Sequence, residues 1–121
     1  MLKSHKELDV WKRSYALCKL VYRDTKRFPE DERFGLTSQL RRNAVSIPSN
    51  IAEGYNRNST RDYLRFLWIA KGSLAELDTQ IMLSADLEVA PHDAMNAILE
   101  DIGHIERMLL ALIRSLEKKL K

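Results

Sequence analysis

A single cysteine, Cys18, stands among 121 residues, so no internal disulfide can form. One thiol among apolar neighbours reads as a small core residue, not as a redox centre or nucleophile. No uninterrupted apolar stretch approaches the ~20 residues of a membrane helix, which excludes a membrane-spanning role. The opening Met1-Leu2-Lys3-Ser4-His5-Lys6 lacks the apolar centre of a signal peptide, so cytoplasmic residence is expected. Strict apolar–polar alternation and the β-branched, turn-bounded runs of strands are missing, which points to an all-α fold. There is no Gly-rich phosphate loop, no zinc spacing and no nucleophile elbow. The three histidines, His5, His92 and His104, are scattered. Asp101 and His104 form one Asp-x-x-His half-motif, whereas a di-metal bundle needs two Glu-x-x-His motifs and two further carboxylates. No catalytic residue, cofactor or metal is therefore expected.

The chain length suits one domain over residues 1–121, and a 45% hydrophobic content is too high for intrinsic disorder. Apolar spacing of three and four residues recurs in four segments. The first runs from about Lys6 to Phe28, with Leu8, Trp11, Tyr15, Cys18 and Tyr22 on one stripe and Val10, Leu17, Val21 and Phe28 on the adjacent one. The second is predicted to open at Pro29-Glu30-Asp31-Glu32, because proline and acidic residues suit a first helical turn. It carries Leu36, Leu40, Ala44, Ile47 and Ile51, is kinked near Pro48, and stops at Gly54. Ser59-Thr60-Arg61-Asp62 has the form of a capping box opening the third helix. Its seam is Tyr63, Leu67, Ala70, Leu74, Leu77, Ile81 and Ser84. Pro91 opens the fourth, with the inward stripe Ala94, Ile98, Ile102, Ile105, Leu109, Leu112 and Leu116. Short connections between long helices predict an up-and-down antiparallel four-helix bundle.

These helices hold more apolar surface than one bundle needs. Leu64 and Trp68 on the third helix and Met108, Leu110 and Ile113 on the fourth are read as a self-association interface. A partly covered surface tryptophan and a base-stacking platform are the competing readings of Trp68. On the second helix Gln39, Arg42, Ser46, Asn50 and Glu53 form a polar stripe. Arg42 and Asn50 are expected to meet Glu76 in a buried network that sets helix register; the alternative is a solvated polar face.

Charge is unevenly spread. Residues 1–65 carry 14 Lys/Arg against 8 Asp/Glu, whereas residues 66–121 carry 6 against 9. Lys12, Lys19, Arg23, Lys26 and Arg27 along the first helix, with Arg41 in the second, could track the phosphates of RNA or DNA. The plainer reading is a solvated charged face.

Five stretches carry a family likeness: Leu8-Asp9-Val10-Trp11, Phe28-Pro29, Gln39-Leu40-Arg41-Arg42, the block from Ser46 to Gly54, and the block from Phe66 to Leu77. In order and spacing they resemble the four-helix-bundle proteins encoded in intervening sequences of bacterial 23S ribosomal RNA genes, also called the S23 ribosomal protein family. The resemblance covers nearly the whole chain. It implies a bacterial homo-oligomer, a ring-shaped pentamer, without catalytic residues. A related branch, the accessory variability proteins of diversity-generating retroelements, binds nucleic acid and a reverse transcriptase. Arg41 and Arg42 match the shared arginine pair. The expected function is thus that of a non-enzymatic, homo-oligomeric interaction protein that binds RNA or DNA, the alternative being a protein-binding accessory subunit that docks a nucleic-acid enzyme.

Overall fold

The computed structural model describes residues 2–120. Four helices dominate it: α1 Asp9–Thr25, α2 Leu36–Tyr55, α3 Thr60–Asp86 and α4 His92–Lys118, with no strand among the described residues. Each helix packs on its neighbour in sequence and α1 also packs on α4, so the four surround one core. The links 56–59 and 87–91 allow only a direct reversal of direction. The fold is the expected four-helix bundle.

α1 is shorter than predicted. A 3-10 turn over His5–Glu7, closed by the reciprocal bonds of Ser4 and Glu7, precedes it. Of its two apolar stripes the second is the core: Val10, Leu17, Val21 and Phe28 are buried, together with Ser14 and Thr25. Trp11 and Cys18 are half-buried, while Tyr15 and Tyr22 are exposed. The smaller residues lie inward because α1 must approach both α2 and α4, and the larger aromatic rings are left at the surface.

α2 does not open at Pro29. Glu30–Glu32 form a separate 3-10 turn, and Gly35, at φ −104° and ψ −112°, takes the backbone out of the helical region before α2 begins at Leu36. Gly35 has no side chain to cap the helix; Glu32 Oε1 accepts from the Leu36 N–H at 3.4 Å instead. α2 continues through Pro48, which has no N–H to give the Ala44 carbonyl. Burial of Ala44, Ile47, Pro48 and Ile51 keeps this stretch helical. Gly54 is not the stop, since α2 extends to Tyr55. Gly54 is instead a contact point: a Cβ there would lie 2.9 Å from Phe66 Cβ and 3.1 Å from the Tyr63 carbonyl oxygen of α3.

α3 matches its sequence pattern closely. Ser59 Oγ accepts from the Asp62 N–H at 3.1 Å, and the seam from Leu67 to Ser84 is buried with Tyr63 half-buried. Its far end closes with the paired bonds of a Schellman motif, Val89 N–H to the Ser84 carbonyl at 2.9 Å and Glu88 N–H to the Ala85 carbonyl at 3.0 Å. The left-handed position falls on Glu88, at φ 58°, where glycine is the residue without a steric penalty.

α4 corrects the predicted stripe at two places. Met95 and Ile113 are buried, and Ala94 and Leu112 only partly so. Pro91 is the N-cap, one position ahead of the predicted first turn. A strict four-three repeat drifts around a straight helix of 3.6 residues per turn, so the inward face changes register over seven turns.

Candidate nucleic-acid interface

On α1, turning the small residues inward leaves a regular outer stripe. Lys12, Tyr15, Lys19, Tyr22 and Lys26 are all exposed and follow one another at steps of three, four, three and four, alternating cation and aromatic along one side. At 1.5 Å per residue the stripe is about 21 Å long. Arg23 and Arg27 flank it and are exposed. The one acidic side chain between Val10 and Phe28, Asp24, is engaged by Arg23 at 3.1 Å. Among the described residues Lys12, Lys19, Lys26 and Arg27 form no ion pair.

The rings of this stripe are supported from behind. Trp11 stacks on Tyr15 with centroids 4.8 Å apart and planes 20° from parallel, and His5 meets the Trp11 ring edge-on at 5.3 Å. Lys19 Nζ lies 5.2 Å from the Tyr15 centroid. Arg41, from α2, holds its guanidinium 4.8 Å from the Tyr22 centroid, donates through Nε to Thr25 Oγ1 at 2.8 Å and reaches the Tyr22 carbonyl at 3.4 Å. Arg41 is therefore first a clasp between α2 and the end of α1, where the exposed carbonyls of a helix C-terminus attract a cation.

Beside Tyr22 a cleft of about 430 Å³ opens between the end of α1 and the start of α2. Phe34, 88% exposed, forms one wall with Arg33 5.3 Å over its ring, and Arg42 and Ser38 also line it. Thr37 lies at the inner side, 8% exposed, and its Oγ1 has no hydrogen-bond partner among the described residues. Deeper in a helix a threonine hydroxyl bonds a carbonyl one turn back. Thr37 is in the first turn and has no such helical carbonyl behind it.

The polar network is real but has other members. Ser46 Oγ and Ser73 Oγ are 2.8 Å apart across α2 and α3, and Asn50 Nδ2 donates to Ser46 Oγ at 2.9 Å and to the Ser46 carbonyl at 2.8 Å. A second rung joins Asn43 to Gln80 and Gln80 to Gln39, each at 3.0 Å. Arg42 and Glu76, expected at its centre, are both exposed and do not meet. Glu53 is exposed and pairs with Arg57 at 3.7 Å. Short side chains suit a seam where two backbones approach closely; the long charged ones turn to water.

Two members of the expected self-association surface belong to the subunit's own core: Leu64 is 8% exposed and Ile113 1%. Met108 and Leu110 are half-buried. Trp68, 48% exposed with Lys71 Nζ 5.9 Å from its ring, faces outward as expected. Ile69, a further surplus apolar residue of this helix in the sequence, is exposed beside it, as are Met82 and Leu83, which the sequence reading missed. Between them lies Gly72, whose added Cβ would meet nothing within 4 Å.

Asp101 and His104 do not converge on a shared site. Asp101 accepts from Nε and an Nη of Arg13, both at 3.3 Å, while His104 Nδ1 lies 2.9 Å from Arg107. Among the described residues no group of three or more His, Cys, Asp and Glu is placed to hold a metal. Burial raises the Cys18 thiol pKa, which lowers its thiolate fraction at neutral pH. No helix among the described residues is long and apolar enough to cross a membrane.

Fold and surface together define a four-helix bundle with a cation–aromatic face on its first helix. The chain belongs to the 23S rRNA-intervening sequence protein family, whose model matches residues 6–111. Its fold is also that of a crystal structure at 1.70 Å from Bacteroides thetaiotaomicron VPI-5482, described as a protein with unknown function from the S23 ribosomal protein family. The two superpose with a TM-score of 0.79 over 87% of this chain and 95% of that one, at 24% identity. No curated protein is significantly similar in sequence.

Proposed function

We propose that this protein is a non-enzymatic, cytoplasmic, homo-oligomeric interaction protein that binds nucleic acid through the outer face of α1. The observation that carries the reading is the stripe of Lys12, Lys19 and Lys26 interleaved with Tyr15 and Tyr22, whose lysines have no ion-pair partner among the described residues. Phosphates supply the missing counter-charge, and exposed rings add contact area that simple solvation of a charged face does not call for. Assembly is supported by the outward apolar residues of α3, above all Trp68. A ring of five copies would present the α1 face five times and multiply its avidity.

The test is a salt-titrated gel shift with RNA and with DNA, on the native chain and on the Lys12→Glu/Lys19→Glu/Lys26→Glu variant. Binding that weakens steeply with salt, with a slope of several ions, and is lost in the variant is the expected result. Absence of a shift at low salt rejects the nucleic-acid reading. The exposed apolar face of α3 also suits an accessory subunit that docks a nucleic-acid enzyme; a protein partner held there would bind with little dependence on salt.

A further inference from the structure

We infer that the nucleic acid bound by the α1 face is single-stranded, and that one of its nucleotides seats in the cleft between Tyr22 and Phe34; this rests on the nucleic-acid reading above. Phosphate contacts alone need cations and no rings. A duplex keeps its bases stacked inside, so exposed side-chain rings on the protein gain nothing from it, whereas an unpaired strand offers each base face for stacking. This protein exposes three rings along one path. Tyr15 is 48% exposed, Tyr22 39% and Phe34 88%, and each is held on a neighbouring group, Trp11, Arg41 and Arg33 respectively. Rings held in this way lose little freedom when a base stacks on them.

The path also has a defined end. Tyr22 belongs to both the stripe and the cleft, so a strand tracking Lys12, Lys19 and Lys26 leads directly to it. The cleft combines the exposed face of Phe34 with Arg33, Arg41, Arg42 and the Ser38 hydroxyl. Thr37 also lines it, 8% exposed, with its Oγ1 buried and unpartnered among the described residues. Glu30 occupies one Arg33 nitrogen at 3.3 Å, and its 87% exposed side chain leaves that pair open to exchange.

Fluorescence anisotropy with labelled 12-nucleotide oligo(A) RNA, the matching oligo(dA) and an A·U duplex of equal length tests the inference. Both single strands are expected to bind at least tenfold more tightly than the duplex. Phe34→Ala should weaken single-strand binding by about fivefold or more, the lower end for one stacked base. It should leave duplex binding unchanged, and Phe34→Trp should restore the loss. Phe34 is exposed, so folding is preserved, and circular dichroism of each variant checks it. Equal or tighter duplex binding overturns the inference, as does a Phe34→Ala loss shared by all three probes or absent from all three. If the Lys12→Glu/Lys19→Glu/Lys26→Glu variant loses binding while Phe34→Ala does not, only this inference fails. If neither changes it, the functional reading fails as well.

Discussion

Gly54 of α2 and Phe66 of α3 meet so closely that a Cβ on the glycine would lie 2.9 Å from the Phe66 Cβ. The Tyr63 carbonyl, 3.1 Å from the same point, is backbone and cannot swing aside. The short link 56–59 then turns the chain directly beside this contact. Gly54→Ala must push the two helices apart where they join. Overpacking of this kind costs about 1–3 kcal/mol, so the variant should melt several degrees lower by calorimetry. A melting point equal to that of the native chain would show that the helices separate freely here.

Glu88 carries the opposite opportunity. Its φ of 58° lies where a side chain is strained, and the bonds around it need that conformation. Replacing it with glycine removes a penalty of roughly 1–2 kcal/mol, offset in part by the greater freedom glycine has in the unfolded chain. Glu88→Gly should therefore raise the midpoint of urea unfolding with an unchanged slope.

Ser46 and Glu76 should respond differently to alanine. Ser46 Oγ touches both Ser73 and Asn50 at the half-buried seam of α2 and α3, and its loss should cost about 1 kcal/mol, the net worth of a typical hydrogen bond. Glu76 is exposed and bonded to nothing among the described residues, so Glu76→Ala should stay within about 0.5 kcal/mol of native stability. Denaturant titration of both variants side by side decides the matter; a larger loss for Glu76 would contradict the observed network.

Alkaline pH should destabilise the bundle through Tyr63. Burial, and secondarily repulsion from the Tyr55 phenolate, push its pKa up to about 12 from an ordinary value of 10.0. Between these values the unfolded chain gives up the phenolic proton while the folded chain keeps it. The unfolded state then binds fewer protons, and stability falls as pH rises. The contribution is fully present below pH 10.0 and is lost by the time pH passes about 12. Tyr63→Phe should flatten this part of the stability profile, measured by chemical denaturation across that range, and a profile identical to native would assign the slope to other groups.

Assembly can be read at Trp68 and Gly72. In a free bundle Gly72→Ala should stabilise by about 0.5–1 kcal/mol, since nothing lies within 4 Å of the new methyl group and alanine is the better helix former. Where another copy covers this face, the same change should weaken the assembly, and Trp68→Glu should disperse it. Light scattering across micromolar concentrations distinguishes the cases. A native particle of 14.1 kDa would remove the homo-oligomer altogether.

Much of the bundle can be read from residue order because it depends on local rules. The spacing of Leu67, Leu74, Leu77 and Ile81, the Ser59 cap and the outward Trp68 follow from helical periodicity and backbone hydrogen bonding, which need only neighbours within a turn or two. Which of two adjacent stripes faces inward is a different matter. Tyr15 and Tyr22 are as apolar in pattern as Leu17 and Val21, and only the closeness of α2 and α4 to α1 settles that the smaller side chains go inside. That choice creates the lysine–tyrosine stripe, whose step of three and four is visible in the sequence but divided there between an apolar stripe and a charged face. The bond of Ser46 to Ser73 and the clasp of Arg41 on Thr25 likewise join residues 27 and 16 positions apart. Such contacts depend on how whole helices pack, and helical periodicity along a single segment carries no information about the segment it will meet.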